Sequence, residues 1–126
     1  MDLLILGSLL LTGGLLALAG VFDGGDDKDD DAAPEPVRGT SGDDSLSDDD
    51  GILNGWGGND TLHLSGTAEG YGNQGNDTLT AEDESVAYGG VGRDDLTGSD
   101  HATLYGGAQG DILTGTDSAD VFGDSG

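Results

Sequence analysis

Apolar and polar residues follow two different schemes along this chain. From Leu3 to Phe22, "LLILGSLLLTGGLLALAGVF" runs for 20 residues without a charge, between Asp2 and Asp23. At about 1.5 Å per residue, a helix of that length spans roughly 30 Å, the hydrocarbon thickness of a bilayer. The run predicts one transmembrane helix over 1–22. Beyond Arg38 the pattern changes to single leucines set among polar residues. Leu46, Leu62, Leu79, Leu96 and Leu113 follow one another at steps of 16, 17, 17 and 17. Alternation over three or four residues, as in "TLT" or "SLS", predicts strands about three residues long, with leucine inward.

The same spacing recurs in other columns. Asp44, Asp60, Asp77, Asp94 and Asp111 each precede a leucine by two places, and Tyr71, Tyr88, Tyr105 and Phe122 close their segments. Segments open at Gly39, Gly55, Gly72, Gly89 and Gly106, and "GDSG" at 123–126 opens a sixth. This is a tandem repeat, in which each unit buries its apolar face only against its neighbours. Between the two regions, 23–38 carries an aspartate run and "AAPEPV", the composition of an extended, solvated linker.

"GGVGRDDLT" (89–97) matches every fixed position of GGxGxDxUx, where U is a large apolar residue, and "GNQGNDTLT" (72–80) lacks only the second glycine. The chain thereby resembles the hemolysin-type, or repeats-in-toxin, calcium-binding family over 39–126. The resemblance implies an all-β fold, a parallel β-roll of about five 17-residue coils, behind the membrane helix and the acidic linker. It also implies calcium ligation by Asp44, Asp60, Asp77, Asp94 and Asp111. Turns at Gly42, Gly58, Gly75, Gly89, Gly92 and Gly106 would aim bare peptide carbonyls beside them. Asp117 and Asp120, on the opposite edge, are the weaker candidates, since that edge lacks paired glycines. Asp43, Asn59, Asn76 and Asp95 read as turn or outward residues. Whether the tyrosines or their neighbours Ala87, Leu104 and Val121 face inward stays open at this point.

Charge makes the ion necessary to the reading. The chain holds 26 acidic and three basic residues, a formal charge of −23. At the roughly 4.8 Å spacing of stacked strands, neighbouring carboxylates repel by about 1 kcal/mol in water and 3–4 kcal/mol at an effective dielectric near 20. A hard dication reverses that sign. Calcium, which takes six to eight oxygen ligands, suits such a site better than magnesium. Nucleic acid is excluded as a partner, because only Lys28, Arg38 and Arg93 could meet phosphates. With no cysteine, thiolate chemistry and zinc–cysteine sites are excluded as well.

Other motifs dissolve into the repeat. "GYGNQG" (70–75) has the glycines of a dinucleotide loop but no following helix. "SDH" (99–101) holds triad residue types whose side chains diverge on an extended segment. His63 and His101 are not at metal-ligand spacing, and Trp56 occupies a glycine position of the second repeat. No nucleophile, acid–base pair or phosphate loop stands out. The expectation is a non-catalytic calcium-binding protein of the bacterial inner membrane, single-pass, with its C-terminal domain periplasmic. It would serve as an accessory subunit beside integral membrane partners, with no small-molecule substrate. "ALA" at 17–19 keeps open cleavage and a secreted protein; a fragment of a larger adhesin or toxin, with more repeats beyond Gly126, is a further alternative.

Overall fold

The computed structural model describes residues 35–124. The expected membrane helix over 1–22, and all but the end of the linker, lie outside them. Eleven strands follow one another in the described residues: β1 (Val37–Arg38), β2 (Ser45–Asp48), β3 (Ile52–Asn54), β4 (Thr61–Leu64), β5 (Glu69–Gln74), β6 (Thr78–Ala81), β7 (Val86–Val91), β8 (Asp95–Gly98), β9 (Thr103–Ala108), β10 (Ile112–Gly115) and β11 (Asp120–Phe122). Odd strands form one sheet in the order β1-β3-β5-β7-β9-β11, and even strands form the other, β10-β8-β6-β4-β2. The pairings are parallel, and Leu62 sits opposite Leu46 and Leu79. The sequence period is therefore one turn of a β-solenoid of about five coils.

Three details differ from expectation. Strands are longer than three residues: four in β4, β6 and β8, six in β5, β7 and β9. The six-residue strands run on because pairing continues past the tyrosine, as in Gly90 opposite Gly107 and Val91 opposite Ala108. That continuation draws Gly89 and Gly106 into β7 and β9, so neither is a turn residue. The roll also starts inside the segment read as linker, where Val37 is buried and pairs with Leu53.

Leucine supplies the core because the alternating strand turns it inward while threonine, serine or histidine faces out. Leu46, Leu62, Leu79 and Leu96 are all but inaccessible. Across the coil a second pair of columns exchanges bulk. Leu64 faces Gly70, Ala81 is matched by Ala87, and Gly98 packs under Leu104. A side chain added at Gly70 would stand 2.6 Å from a Leu64 methyl, and one at Gly98 would stand 3.0 Å from a Leu104 methyl. Cross-coil volume is kept within narrow limits although neither column repeats, as close packing requires.

The two edges are built differently. One is a tight turn closed by a backbone bond, Ala68 N–H to Ser65 carbonyl at 3.1 Å and Ala102 N–H to Ser99 carbonyl at 3.0 Å. Asp100 and His101 both have positive φ, 53° and 77°, as do Asp117 and Ser118, the signature of a type I′ turn. The other edge carries the glycines and the aspartate column.

Candidate metal centre

The glycine edge closes only because its wall has no side chains. Gly75 and Gly92 hold φ of 132° and 146°, and a Cβ on either would collide with the carbonyl oxygen of the glycine one coil earlier. Only glycine satisfies both conditions. The chain then re-enters the coil at the aspartate, whose side chain turns inward beneath that wall.

Stacking sets the aspartates in file, and from Asp60 onward each Oδ1 has a partner. It accepts the backbone N–H of the aspartate one coil earlier: Asp44 to Asp60, Asp60 to Asp77 and Asp77 to Asp94 at 2.8 Å, and Asp94 to Asp111 at 3.0 Å. Asp60, Asp77 and Asp94 are 1–2% exposed. Their Oδ2 atoms are buried and accept no hydrogen bond. In the first coil the oxygens exchange places. Asp44 Oδ2 takes the N–H of Thr40 and its hydroxyl at 3.0 Å, and Oδ1 is left alone.

The lone oxygens share their surroundings with peptide carbonyls. A Cβ placed on Gly89 would stand 2.5 Å from Asp94 Oδ2 and 2.6 Å from the Gly106 carbonyl oxygen. At Gly39 the neighbours are Asp44 Oδ2, the oxygen bonded to Thr40, and the Gly55 carbonyl, both at 2.6 Å. Gly72 faces Asp77 Oδ2 and the Gly89 carbonyl in the same way. Carboxylate and carbonyl oxygens thus come together at Gly39, Gly72 and Gly89, in the space that the first glycine of the repeat leaves free. Among the described residues no three acidic or histidine side chains converge on one point. A cation here would take one or two carboxylates and otherwise peptide oxygens.

Burial governs the acidity of the file. It pushes the Asp77 carboxyl up to about 6, against the N–H bond from Asp60, which favours the charged form, and with help from the charges of Asp94 and Asp60. Asp60 and Asp94 are raised for the same first reason.

Asp111, in the last full coil, is half-buried and closes the ladder. Gly42, Gly58, Gly75 and Gly92 lie in the turns, as expected. Asp117 sits in an opposite-edge turn and Asp120 in β11, both exposed and apart from the file. His63 and His101 are exposed on a strand and a turn, respectively.

One ladder went unread in the sequence, and the facing of the aromatic column was left open. Asn59, Asn76 and Arg93 N–H groups donate to the side-chain oxygens of Asp43, Asn59 and Asn76 one coil earlier, at 2.7, 2.9 and 3.0 Å. The repeated Asp or Asn in that column was the available signal. The tyrosines face outward, their rings stacked at 4.8 Å (Tyr71–Tyr88) and 4.9 Å (Tyr88–Tyr105), with Phe122 5.0 Å beyond. Ala87 and Leu104 take the inward places.

No protein-family model, curated protein or solved structure matches the chain. Among the described residues no helix is long and apolar enough to cross a membrane.

Proposed function

We propose that the roll is a non-catalytic calcium-binding module in which ions seated between coils neutralise the aspartate file. One observation carries the reading: Asp60, Asp77 and Asp94 each bury a carboxylate oxygen that no donor meets. At neutral pH such an oxygen carries charge, and leaving a buried charge unpaired is destabilising by several kcal/mol. Repulsion between neighbouring carboxylates adds to that cost and, after burial, helps to raise Asp60, Asp77 and Asp94 above the ordinary carboxylate range. The core that stands against both is twelve apolar side chains, seven leucines with four alanines and a valine. The donor set fits a hard cation, being oxygen throughout, with the carbonyls of Gly89 and Gly106 beside the free Oδ2 atoms of Asp77 and Asp94. When bound, calcium supplies charge neutralisation and cross-links consecutive coils. The chain's own residues supply the ligands, the glycine wall and the exclusion of water.

Because ligation joins consecutive coils and relieves the buried charge between them, binding free energy becomes folding free energy. The 20-residue apolar run at 3–22 supports a membrane tether, with the roll outside the cytoplasm as an accessory subunit of a membrane assembly. Circular dichroism of the full-length chain in detergent, with chelator and then with millimolar calcium, tests the central reading. The expected outcome is a gain of β signal with calcium; an unchanged spectrum sinks it. Intact mass of the native protein tests the tether, which requires Met1 to be retained.

A further inference from the structure

The second position of each repeat is held at positive φ from the second coil onward. It is occupied by Trp56 (83°), Asn73 (77°), Gly90 (113°) and Gly107 (103°). Glycine adopts this conformation freely and asparagine tolerates it, but for a bulky aromatic it is an outlier. Trp56 accepts that strain and is nonetheless 63% exposed, the most exposed large apolar side chain of the roll. Its ring adds little to the core. Strain that folding does not require points to use.

Beside the indole lies a shallow depression of about 360 Å³, lined by Ser41, Trp56, Gly57, Asn73 and Gln74. Asn73 is fixed in place, its Nδ2 donating to Asn54 Oδ1 at 3.0 Å and to the Tyr71 carbonyl at 3.1 Å. The amide is therefore pre-oriented, and its Oδ1 is the remaining hydrogen-bonding atom. Apart from the indole the lining is a hydroxyl, two amides and a bare glycine.

We propose that Trp56 and this depression form a binding site for a neutral saccharide. A pyranose ring presents a face of C–H groups, which lies flat on an aromatic ring, and hydroxyls at its rim, which exchange hydrogen bonds with amides and serine. The composition of the lining favours this ligand over others. A protein-binding tryptophan anchor is set among further apolar or aromatic groups, and none lines this depression. No basic side chain is present for an acidic glycan, and the formal charge of −23 repels one. No carboxylate lines it to fix a cationic ligand.

The proposal does not depend on the calcium reading, and its test keeps calcium constant. Trp56 is the one tryptophan of the chain, so indole emission reports this site alone. Full-length protein in a detergent without a sugar headgroup is titrated with a panel of neutral oligosaccharides built from glucose, mannose, galactose and N-acetylglucosamine. At least one is expected to blue-shift the emission saturably, with a Kd of about 1 mM or tighter. Sulfated and uronic-acid polymers are expected to give no shift. Binding of the same sugar followed by calorimetry is expected to disappear in Trp56→Asn, the residue that the next coil already carries. That variant should melt within a few degrees of the parent and keep its response to calcium. Failure of every neutral sugar overturns the proposal, as does undiminished binding by Trp56→Asn. A blue shift with zwitterionic vesicles and none with sugars overturns it in favour of membrane-interface contact.

Discussion

Both edges of the roll reverse the chain, and both are rich in carboxylates, yet they treat those carboxylates in opposite ways. On the tight-turn edge Asp83, Asp100 and Asp117 are exposed, and their backbones take the positive φ that the turn demands. Asp83 also accepts the N–H of Gly66, one coil earlier, at 3.3 Å. These are the ordinary uses of aspartate in turns. On the glycine edge Asp44, Asp60, Asp77 and Asp94 are sunk beneath a wall without side chains, each with one oxygen bonded and the other abandoned. The contrast shows that acidic content does not locate a site. Burial without a partner does.

Three changes sharpen that contrast. The largest effect is expected from Gly89→Ala, whose new methyl would occupy the space between Asp94 Oδ2 and the Gly106 carbonyl. Overpacking against a polar junction should destabilise the roll by about 3 kcal/mol, read by thermal melting in calcium, and lower calcium affinity by calorimetry.

A smaller and opposite effect is expected from Asp77→Asn in chelator. The amide keeps the Oδ1 bond to Asp60, removes a buried charge and offers an N–H to the Gly89 carbonyl. Near pH 7.5 it should stabilise the ion-free chain by about 2 kcal/mol while weakening its response to calcium, whereas Asp83→Asn should change little. The pH dependence follows from the same carboxyl. Its acidity is shifted from 3.8 up to about 6 in the fold, so the folded chain holds a proton that the unfolded chain releases. Ion-free stability is therefore greatest below pH 3.8 and falls as pH rises through about 6. Melting in chelator across that window should show this slope, and Asp77→Asn should flatten it.

The smallest effect belongs to the other edge. Replacing Asp100–His101 by Asn–Gly fits a type I′ turn that is already formed. A gain of about 0.5–1 kcal/mol in calcium, with unchanged ion stoichiometry, is the expected outcome.

The coil was legible in the sequence because its determinants repeat: Leu62, Leu79 and Leu96 fall in one column, and Asp60, Asp77 and Asp94 in another. The exchange of bulk between Leu64 with Gly70 and Gly98 with Leu104 was not, since each column varies by itself and only their pairing across the coil is constrained. The Oδ1 ladder was hidden for another reason. A repeated aspartate is equally compatible with a ligand, a turn residue and a hydrogen-bond acceptor, and three-dimensional register is needed to see that one oxygen of each carboxylate is bonded while the other is left bare. The outward tyrosines could have been inferred from alternation, because Gly70 and Gly72 on either side of Tyr71 both pack inward. The glycine-rich strand, with its few side chains, obscured that signal.

The pile of four near-parallel rings, Tyr71 through Phe122, has an optical consequence. Chromophores held about 5 Å apart along a twisted sheet couple their ultraviolet transitions, giving a chiral exciton signal that vanishes once the rings separate. The roll thus carries a gauge of its own winding, able to tell a wound solenoid from a chain that has merely collapsed.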